Sequence, residues 1–160
     1  MCKVLQSGME QTWHLSVDPG TREMGWALWR GTSLVQCGLA RGKTWTGTVR
    51  KMPELPCVDV LTLEDQQIYR SSPVDAHALL AVARVVGAVV AFYDYPKHSL
   101  VKPAKWKGQV PKKICNERTL KALSQIETEV VGNVKCPASL RHNLLDAIGI
   151  GLWAVGRRKR

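Results

Sequence analysis

The sequence lacks the cysteine pattern of a zinc-binding module or of a small disulfide-stabilised protein. Its five cysteines are odd in number, no two are closer than 20 residues, and no CxxC or Cys/His pair has zinc-ligand spacing. We therefore expect free, mostly buried thiols in a reducing compartment. None of these thiols has the setting of a catalytic nucleophile.

Long apolar segments are also scarce. The only run that could be considered as a membrane span, residues 76–93, is interrupted by His77 and Arg84, and we interpret it as a buried helix. Residues 1–12 contain no apolar core of signal-peptide length, so we expect an intracellular protein with no membrane partner. We expect one domain of 160 residues, with a loose leader over 1–11 and a basic tail over 157–160.

Acidic residues are outnumbered, with 13 Asp and Glu against 23 Lys and Arg, for a net charge of +10. A solvated, solubilising surface is one interpretation of this excess. A polyanionic partner is favoured because the charge is clustered, and neutralising phosphates releases counterions. The tail is one such cluster, and six lysines within 17 residues form the other: Lys97, Lys102, Lys105, Lys107, Lys112 and Lys113.

Hydrophobic periodicity predicts an α/β domain. Three strands in an antiparallel meander come first, and strand and helix then alternate, which gives a five-stranded mixed sheet with helices on both faces. Pro137 marks the start of the last helix. The predicted strands are 13–18, 26–29, 34–39, 57–64 and 98–102; the predicted helices are 74–93, 116–128 and 138–156, with a basic loop over 103–111.

Three acidic residues lie in well-formed elements far apart in the chain. Asp18 and Glu64 each end an apolar strand, and Asp146 lies on the apolar last helix. A turn-forming role for Asp18 and a salt bridge for Glu64 are the simpler alternatives. If the fold gathers the three, they form a carboxylate cage suited to Mg²⁺. With the basic surface, this predicts a metal-dependent nuclease.

Two further polar residues share the helical face of Asp146. His142 and Asn143 lie four and three residues before it, so either is a candidate fourth ligand or proton carrier. A surface histidine and a helix-start asparagine are the alternatives. Gly149 and Gly151 lower helix propensity, which suggests that this helix packs closely on the sheet.

Taken together, the motifs resemble those of RuvC-type Holliday-junction resolvases, which belong to the RNase H-like superfamily. The resemblance covers about residues 13–156, and segment 101–112 is especially similar to phage-type members. The motifs that carry it are Asp18-Pro19-Gly20 with Gly25-Trp26-Ala27, Glu64 at its strand end, and Asp146-Ala147-Ile148 on the last helix.

The resemblance implies a homodimer that nicks two opposed strands of a four-way DNA junction, leaving a 5′-phosphate and a 3′-hydroxyl. It also implies two Mg²⁺ or Mn²⁺ ions per active site. Asp18, Glu64 and Asp146 would be three of the four acidic metal ligands and catalytic residues. The fourth is usually an aspartate where this chain has Asn143, and some members use a histidine nearby, which makes His142 a rival.

Other surfaces are expected to hold the branched DNA. Five lysines would bind phosphates: Lys102, Lys105, Lys107, Lys112 and Lys113. Trp106, which lies among them, either stacks on an unpaired base or anchors the loop. The resemblance also implies that the stretch after Glu64 enters the junction centre, where Tyr69 or Gln67 would probe the crossover. Helix 76–92 is a candidate dimer interface, and a fully buried helix in a monomer is the alternative. Two other functions are compatible with the same fold: a flap or RNA–DNA hybrid nuclease, and an inactive nucleic-acid-binding module.

Overall fold

A computed structural model describes residues 11–55, 58–67, 75–93 and 97–158. The strands are β1 (Trp13–Asp18), β2 (Glu23–Arg30), β3 (Ser33–Arg41), β4 (Val60–Glu64) and β5 (His98–Val101). The helices are α1 (Trp45–Val49), α2 (Ala76–Tyr93), α3 (Pro103–Trp106), α4 (Lys112–Lys121), α5 (Gln125–Gly132) and α6 (Arg141–Ala154), with a 3₁₀ turn, Ala138–Leu140, directly before α6.

The five strands form one mixed sheet in the order β3-β2-β1-β4-β5. The pairs β1/β2 and β2/β3 are antiparallel, and β1/β4 and β4/β5 are parallel. The predicted α/β architecture, a meander followed by strand–helix alternation, is therefore confirmed. Strand β1 lies at the centre of the sheet, which explains why it is apolar on one face and polar but buried on the other.

Alternating side chains divide the sheet between two layers of helices. Leu15 and Val17 of β1 and Leu61 and Leu63 of β4 pack in the core cluster that includes Val85 of α2. The intervening positions of β1 and β4 point to the opposite face, where α6 lies across β1 and β2. Ser16 of β1 lies on this face, where its hydroxyl donates to the carbonyl oxygen of Ala147 in α6.

Helix α2 is less enclosed than its sequence predicts. Val85 and Val89 are its fully buried side chains, whereas Leu80 is 54% exposed and Phe92 46%. The expected buried helix is thus corrected to a helix that packs on the sheet with one side and leaves apolar groups on the other. It is long and apolar enough to cross a membrane by length and composition, a test that core helices also pass.

The segment predicted as one helix over 116–128 is two helices. Helix α4 begins earlier, at Lys112, and ends at Lys121, and α5 begins after Ser124. Ser124 caps α5 in a reciprocal capping box, because its hydroxyl accepts from the Glu127 amide while the Glu127 carboxylate accepts from the Ser124 amide. This capping box starts a new helix and so divides the segment.

Several other boundaries differ from prediction: β2 is longer, beginning at Glu23, and β4 is shorter, beginning at Val60. The loop predicted over 103–111 starts with the single turn α3, with Pro103 at its first position. The helix predicted from residue 138 starts as a 3₁₀ turn and becomes α-helical at Arg141.

The cysteines match their prediction, and the basic tail differs from its prediction in part. The three described cysteines are free, with Cys37 and Cys115 buried and Cys136 partly buried, as expected. The predicted basic tail is partly folded back, since Arg157 forms an ion pair with the buried Glu127. That arginine is consequently not part of an open cationic surface.

Candidate active site

Strand register brings two of the predicted acids together. In the parallel pair β1/β4, Val17 lies opposite Leu63, and Asp18 and Glu64 are the next residues on each strand. Both strands end here, so their carboxylates meet at the same edge of the sheet. Glu64 is 8% exposed and Asp18 is partly buried.

A buried hydrogen-bond network places α6, and with it Asp146, against this edge. The Ser16 hydroxyl on β1 donates to the carbonyl oxygen of Ala147 at 2.8 Å and accepts from Trp29 Nε1 at 3.0 Å. At Gly25 a Cβ would lie 2.0 Å from the carbonyl oxygen of Asn143, so β2 and α6 approach backbone to backbone. The acid next to Ala147 is thereby fixed over the strand ends.

The three carboxylates interact electrostatically. Burial raises the pKa of Asp18 well above its ordinary value, and the charges of Asp146 and Glu64 raise it further. Burial also raises the pKa of Glu64 and that of Asp146, while nearby lysines oppose both shifts. The structure therefore brings Asp18, Glu64 and Asp146 into one acidic cluster, as the sequence predicted.

Two lysines face this cluster. Lys107 Nζ lies 3.7 Å from Glu64 Oε2, and Lys112 Nζ lies 3.7 Å from Asp146 Oδ2. Across residues 11–55, 58–67, 75–93 and 97–158, no three His, Cys, Asp or Glu side chains are placed as a ready metal-ligand group. Two of the acids are instead paired with ammonium groups, so cations already neutralise part of the cluster.

Trp106 belongs to the cluster instead of projecting toward solvent. Its indole Nε1 donates to Glu64 Oε2 at 2.7 Å, and the side chain is only 3% exposed. A Cβ at Gly149 would lie 2.5 Å from the ring, so α6 has a glycine where the indole packs. The base-stacking alternative is corrected: Trp106 anchors the segment and orients Glu64.

His142 and Asn143 occupy the first turn of α6 and are both partly buried. His142 is close enough to Asp146 to lower the pKa of that carboxyl, although burial and two lysines have larger effects. Asn143 contacts β2 through its backbone carbonyl at Gly25. Both rivals for the fourth position therefore lie beside the cluster.

The other predicted DNA-binding residues lie around the cluster or outside the described chain. Lys102, Lys105 and Lys113 are exposed on or next to α3 and α4. Gln67, three residues after Glu64, is partly buried. Tyr69 lies outside the described residues.

Sequence reasoning missed the polar groups that support the cluster from within the sheet. Ser16 was not recognised, nor was the chain in which His14 Nε2 bonds Thr62 Oγ1 at 2.8 Å and Thr62 bonds Ser99 at 3.0 Å. The available signal was their position, because His14 and Ser16 alternate with Leu15 and Val17 on a central strand. Polar residues at such positions need buried partners.

Comparison with known proteins gives a fold relationship. No family model and no curated protein sequence matches the chain. Among solved structures, Thermus thermophilus RuvC superposes with a TM-score of 0.55 at 16% identity, covering 88% of this chain and 92% of that one. The same protein in complex with a Holliday junction substrate gives 0.57 at 17% identity, covering 88% and 90%.

A third structure extends the relationship to another organism. The yeast mitochondrial Holliday junction resolvase Ydc2 superposes with a TM-score of 0.54 at 11% identity, covering 88% of this chain and 78% of that one. The special similarity to phage-type members stays a prediction. Each superposition covers most of both chains, and this protein therefore shares the fold of these three structures.

Proposed function

We propose that this protein is a divalent-metal-dependent endonuclease that cuts four-way DNA junctions. The observation that carries the proposal is the acidic cluster of Asp18, Glu64 and Asp146, assembled from three distant segments on a fold shared with a RuvC bound to a Holliday junction. The net charge of +10 supports a polyanionic substrate.

The donor chemistry of the cluster fits Mg²⁺ or Mn²⁺. All three groups are carboxylates, the oxygen ligands that these ions prefer. Burial first, and then repulsion from Asp146 and Glu64, raise the pKa of Asp18, and nearby positive charges oppose this rise; the lysines at Glu64 and Asp146 are evidence that the site accepts cations. A bound pair of such ions would supply an activated water and stabilise the leaving 3′ oxygen.

The chain's own residues would hold and orient the scissile strand. In the ion pairs of Lys107 and Lys112 the lysine side chains are partly exposed, so their ammonium groups can transfer from carboxylate to phosphate. Lys102, Lys105 and Lys113 would bind phosphates further along the strand. Trp106 keeps Glu64 oriented during this exchange, because its hydrogen bond is buried.

Dimerisation through α2 is the second part of the proposal. Leu80 and Phe92 are large apolar side chains left about half exposed on this helix. A second copy packed on that face would bury them. Two copies related by a twofold axis would present two acidic clusters to the two opposed strands of a junction.

The deciding experiment compares a strand-labelled four-way junction with matched duplex, flap and RNA–DNA hybrid, each with Mg²⁺ and with EDTA. We expect paired, ligatable nicks in the junction and none with EDTA. Cutting of the flap or hybrid instead would retain the metal chemistry and reject the substrate. Tight binding without cutting in Mg²⁺ or Mn²⁺ would identify an inactive binding module.

Asp18→Asn separates chemistry from binding. This substitution keeps the shape of the side chain and removes a carboxylate from the acidic cluster, so we expect cleavage to be lost and junction binding to be kept or strengthened. Lys43→Gln, an exposed change on the α1 side, is the control and should cut normally. Undiminished cleavage by Asp18→Asn would contradict the metal-site proposal.

His142→Ala and Asn143→Ala test the fourth position, each assayed over a range of Mg²⁺ and Mn²⁺ concentrations. The residue that completes the site should raise the metal concentration needed for half-maximal cleavage by about 10–100-fold when removed. Full activity in both variants at low metal concentration would eliminate both candidates.

A further inference from the structure

A hollow lined in part by Trp106 has the composition of a nucleotide-binding pocket. It has a volume of about 490 Å³, within the range of about 300–1,000 Å³ typical of ligand pockets. Asp18, Glu64 and Asp146 do not line it. Six of its lining residues carry the argument: Lys105, Trp106, Lys107, Arg118, Trp153 and Arg158.

The cations around this hollow have few acidic partners. Lys107 reaches Glu64, but among the described residues Lys105, Arg118 and Arg158 are not within ion-pair distance of a carboxylate. Arg158 is oriented by neutral groups, with Nη1 donating to Thr119 Oγ1 at 3.3 Å. Three positive charges around a concave surface without a lining Asp or Glu favour an anionic ligand.

An aromatic wall distinguishes this hollow from a general basic surface. Trp153 lines it and is partly exposed, whereas the 3% exposed Trp106 closes its inner side. A partly exposed indole offers a face on which a base can stack. A second hollow of about 440 Å³, which includes Arg41 and Lys51, has no aromatic residue and contains Glu23.

We propose that this hollow binds one nucleotide of an unpaired DNA strand, with its base against Trp153 and its phosphate held by Arg118 and Arg158. An unpaired strand is required because the base faces in a duplex are covered by their neighbours. Trp106 and Lys107 belong both to this hollow and to the acidic cluster. A strand that enters the cluster would therefore place a neighbouring nucleotide here. The inference rests on the proposed function only in taking DNA as the polymer.

The test measures binding of a short labelled oligothymidine to the full chain in EDTA by fluorescence anisotropy, over a series of salt concentrations. We expect Arg118→Gln/Arg158→Gln to weaken binding and to reduce the slope of log K against log salt by about 0.7 for each arginine. The matched control, Arg41→Gln/Lys51→Gln, removes the same charge from the second hollow and should leave the slope nearly unchanged. An equal loss in both variants would overturn the proposal.

The contact between the base and Trp153 is tested by changing first the oligonucleotide and then the protein. Replacing thymine with abasic units should weaken binding to the natural chain about fivefold or more, and Trp153→Leu should remove most of this difference. The abasic comparison needs no variant, so it decides the matter even if Trp153→Leu does not fold. Equal binding of the two oligomers, or equally strong competition by free thymidine monophosphate, would reject a strand-binding pocket.

Junction cleavage assayed in parallel separates this inference from the proposed function. Normal cleavage with unchanged oligonucleotide binding in the arginine variant would reject the pocket and leave the nuclease proposal intact. Absence of cleavage by the natural chain, with oligonucleotide binding that depends on Arg118 and Trp153, would support the pocket and reject the nuclease.

Discussion

Replacing Trp106 with phenylalanine tests whether the indole orients Glu64 or merely fills the core. The substitution keeps an aromatic ring next to Gly149 but removes the Nε1–H that donates to Glu64 Oε2 at 2.7 Å. Trp106 is 3% exposed and Glu64 is 8% exposed, so water does not readily replace the lost donor. The carboxylate would keep its weaker contact with Lys107 at 3.7 Å.

The size of the effect follows from the charge of the acceptor. A hydrogen bond to a charged group contributes about 1.5–3 kcal/mol, and removal of a partner that orients a metal ligand usually costs about 10–100-fold in metal affinity or activity. Burial raises the pKa of Glu64, and the Lys107 charge and the Trp106 hydrogen bond lower it. Loss of that bond raises the pKa further, so the acidic limb of the pH–activity profile should move to higher pH.

The assay is junction cleavage as a function of Mn²⁺ concentration and of pH, with thermal unfolding measured on the same samples. Trp26→Phe is the matched control, because Trp26 is also buried but packs in the core cluster on the other face of the sheet. We expect both variants to lose stability and only Trp106→Phe to need more metal and a higher pH. If the two variants share one metal requirement and one pH profile, Trp106 only fills space.

Three further predictions concern stability and packing. Burial lowers the pKa of His14 from 6.5 to about 4, so the stability that its neutral form contributes is complete above pH 6.5. The free energy of unfolding should fall as the pH drops from 6.5 to 4, by at most about 1.4 kcal/mol per pH unit. In urea unfolding, His14→Gln should reduce this pH dependence. Glu127→Gln should cost about 1.5–3 kcal/mol in urea unfolding at pH 7, because Arg157 loses its carboxylate and keeps only neutral acceptors such as the carbonyl oxygens of Thr32 and Ala122; an unchanged unfolding free energy would contradict that role. Gly149→Ala should displace Trp106, because its Cβ would lie 2.5 Å from the ring, and should reproduce the raised metal requirement of Trp106→Phe. It should also lower the free energy of unfolding by about 1–3 kcal/mol in thermal or urea unfolding. Normal activity would show that the helix can shift to make room.

The sheet was predictable because its signal is local. Leu15 and Val17 alternate with Ser16 and Asp18, and a period of two residues is sufficient to identify a strand and its two faces. The gathering of Asp18 and Glu64 also follows from local facts, since the carboxyl ends of neighbouring parallel strands meet at one edge. For Asp146 the sequence provided only Gly149 and Gly151 as indications of close packing on the sheet. This is correct for Gly151, which meets Trp29 and Ser16, whereas Gly149 instead meets Trp106 and Thr119 of neighbouring helices.

The side chains that hold the cluster together were not predictable in the same way. The Ser16 bond to Ala147 joins positions 131 residues apart, and the Trp106 bond to Glu64 joins positions 42 apart. Nothing in local propensity specifies such a pair, because a serine in a strand or a tryptophan among lysines has many possible partners. The split at Ser124 differs, since the spacing of Ser124 and Glu127 is a visible capping signal that the helix prediction overlooked.

The basic segment around Trp106 illustrates why charge clusters alone are a poor guide to individual roles. From the sequence, Lys105, Lys107 and Lys112 are equivalent members of one run. In the structure, Lys112 faces a carboxylate, Lys105 lines the neighbouring hollow, and Lys107 does both. The difference arises because the buried indole of Trp106 fixes the chain between the two sites. Trp106 both donates to Glu64 and lines the hollow, so strand binding and cleavage are expected to respond together to changes at Trp106 and separately to changes at Arg118 or Asp18.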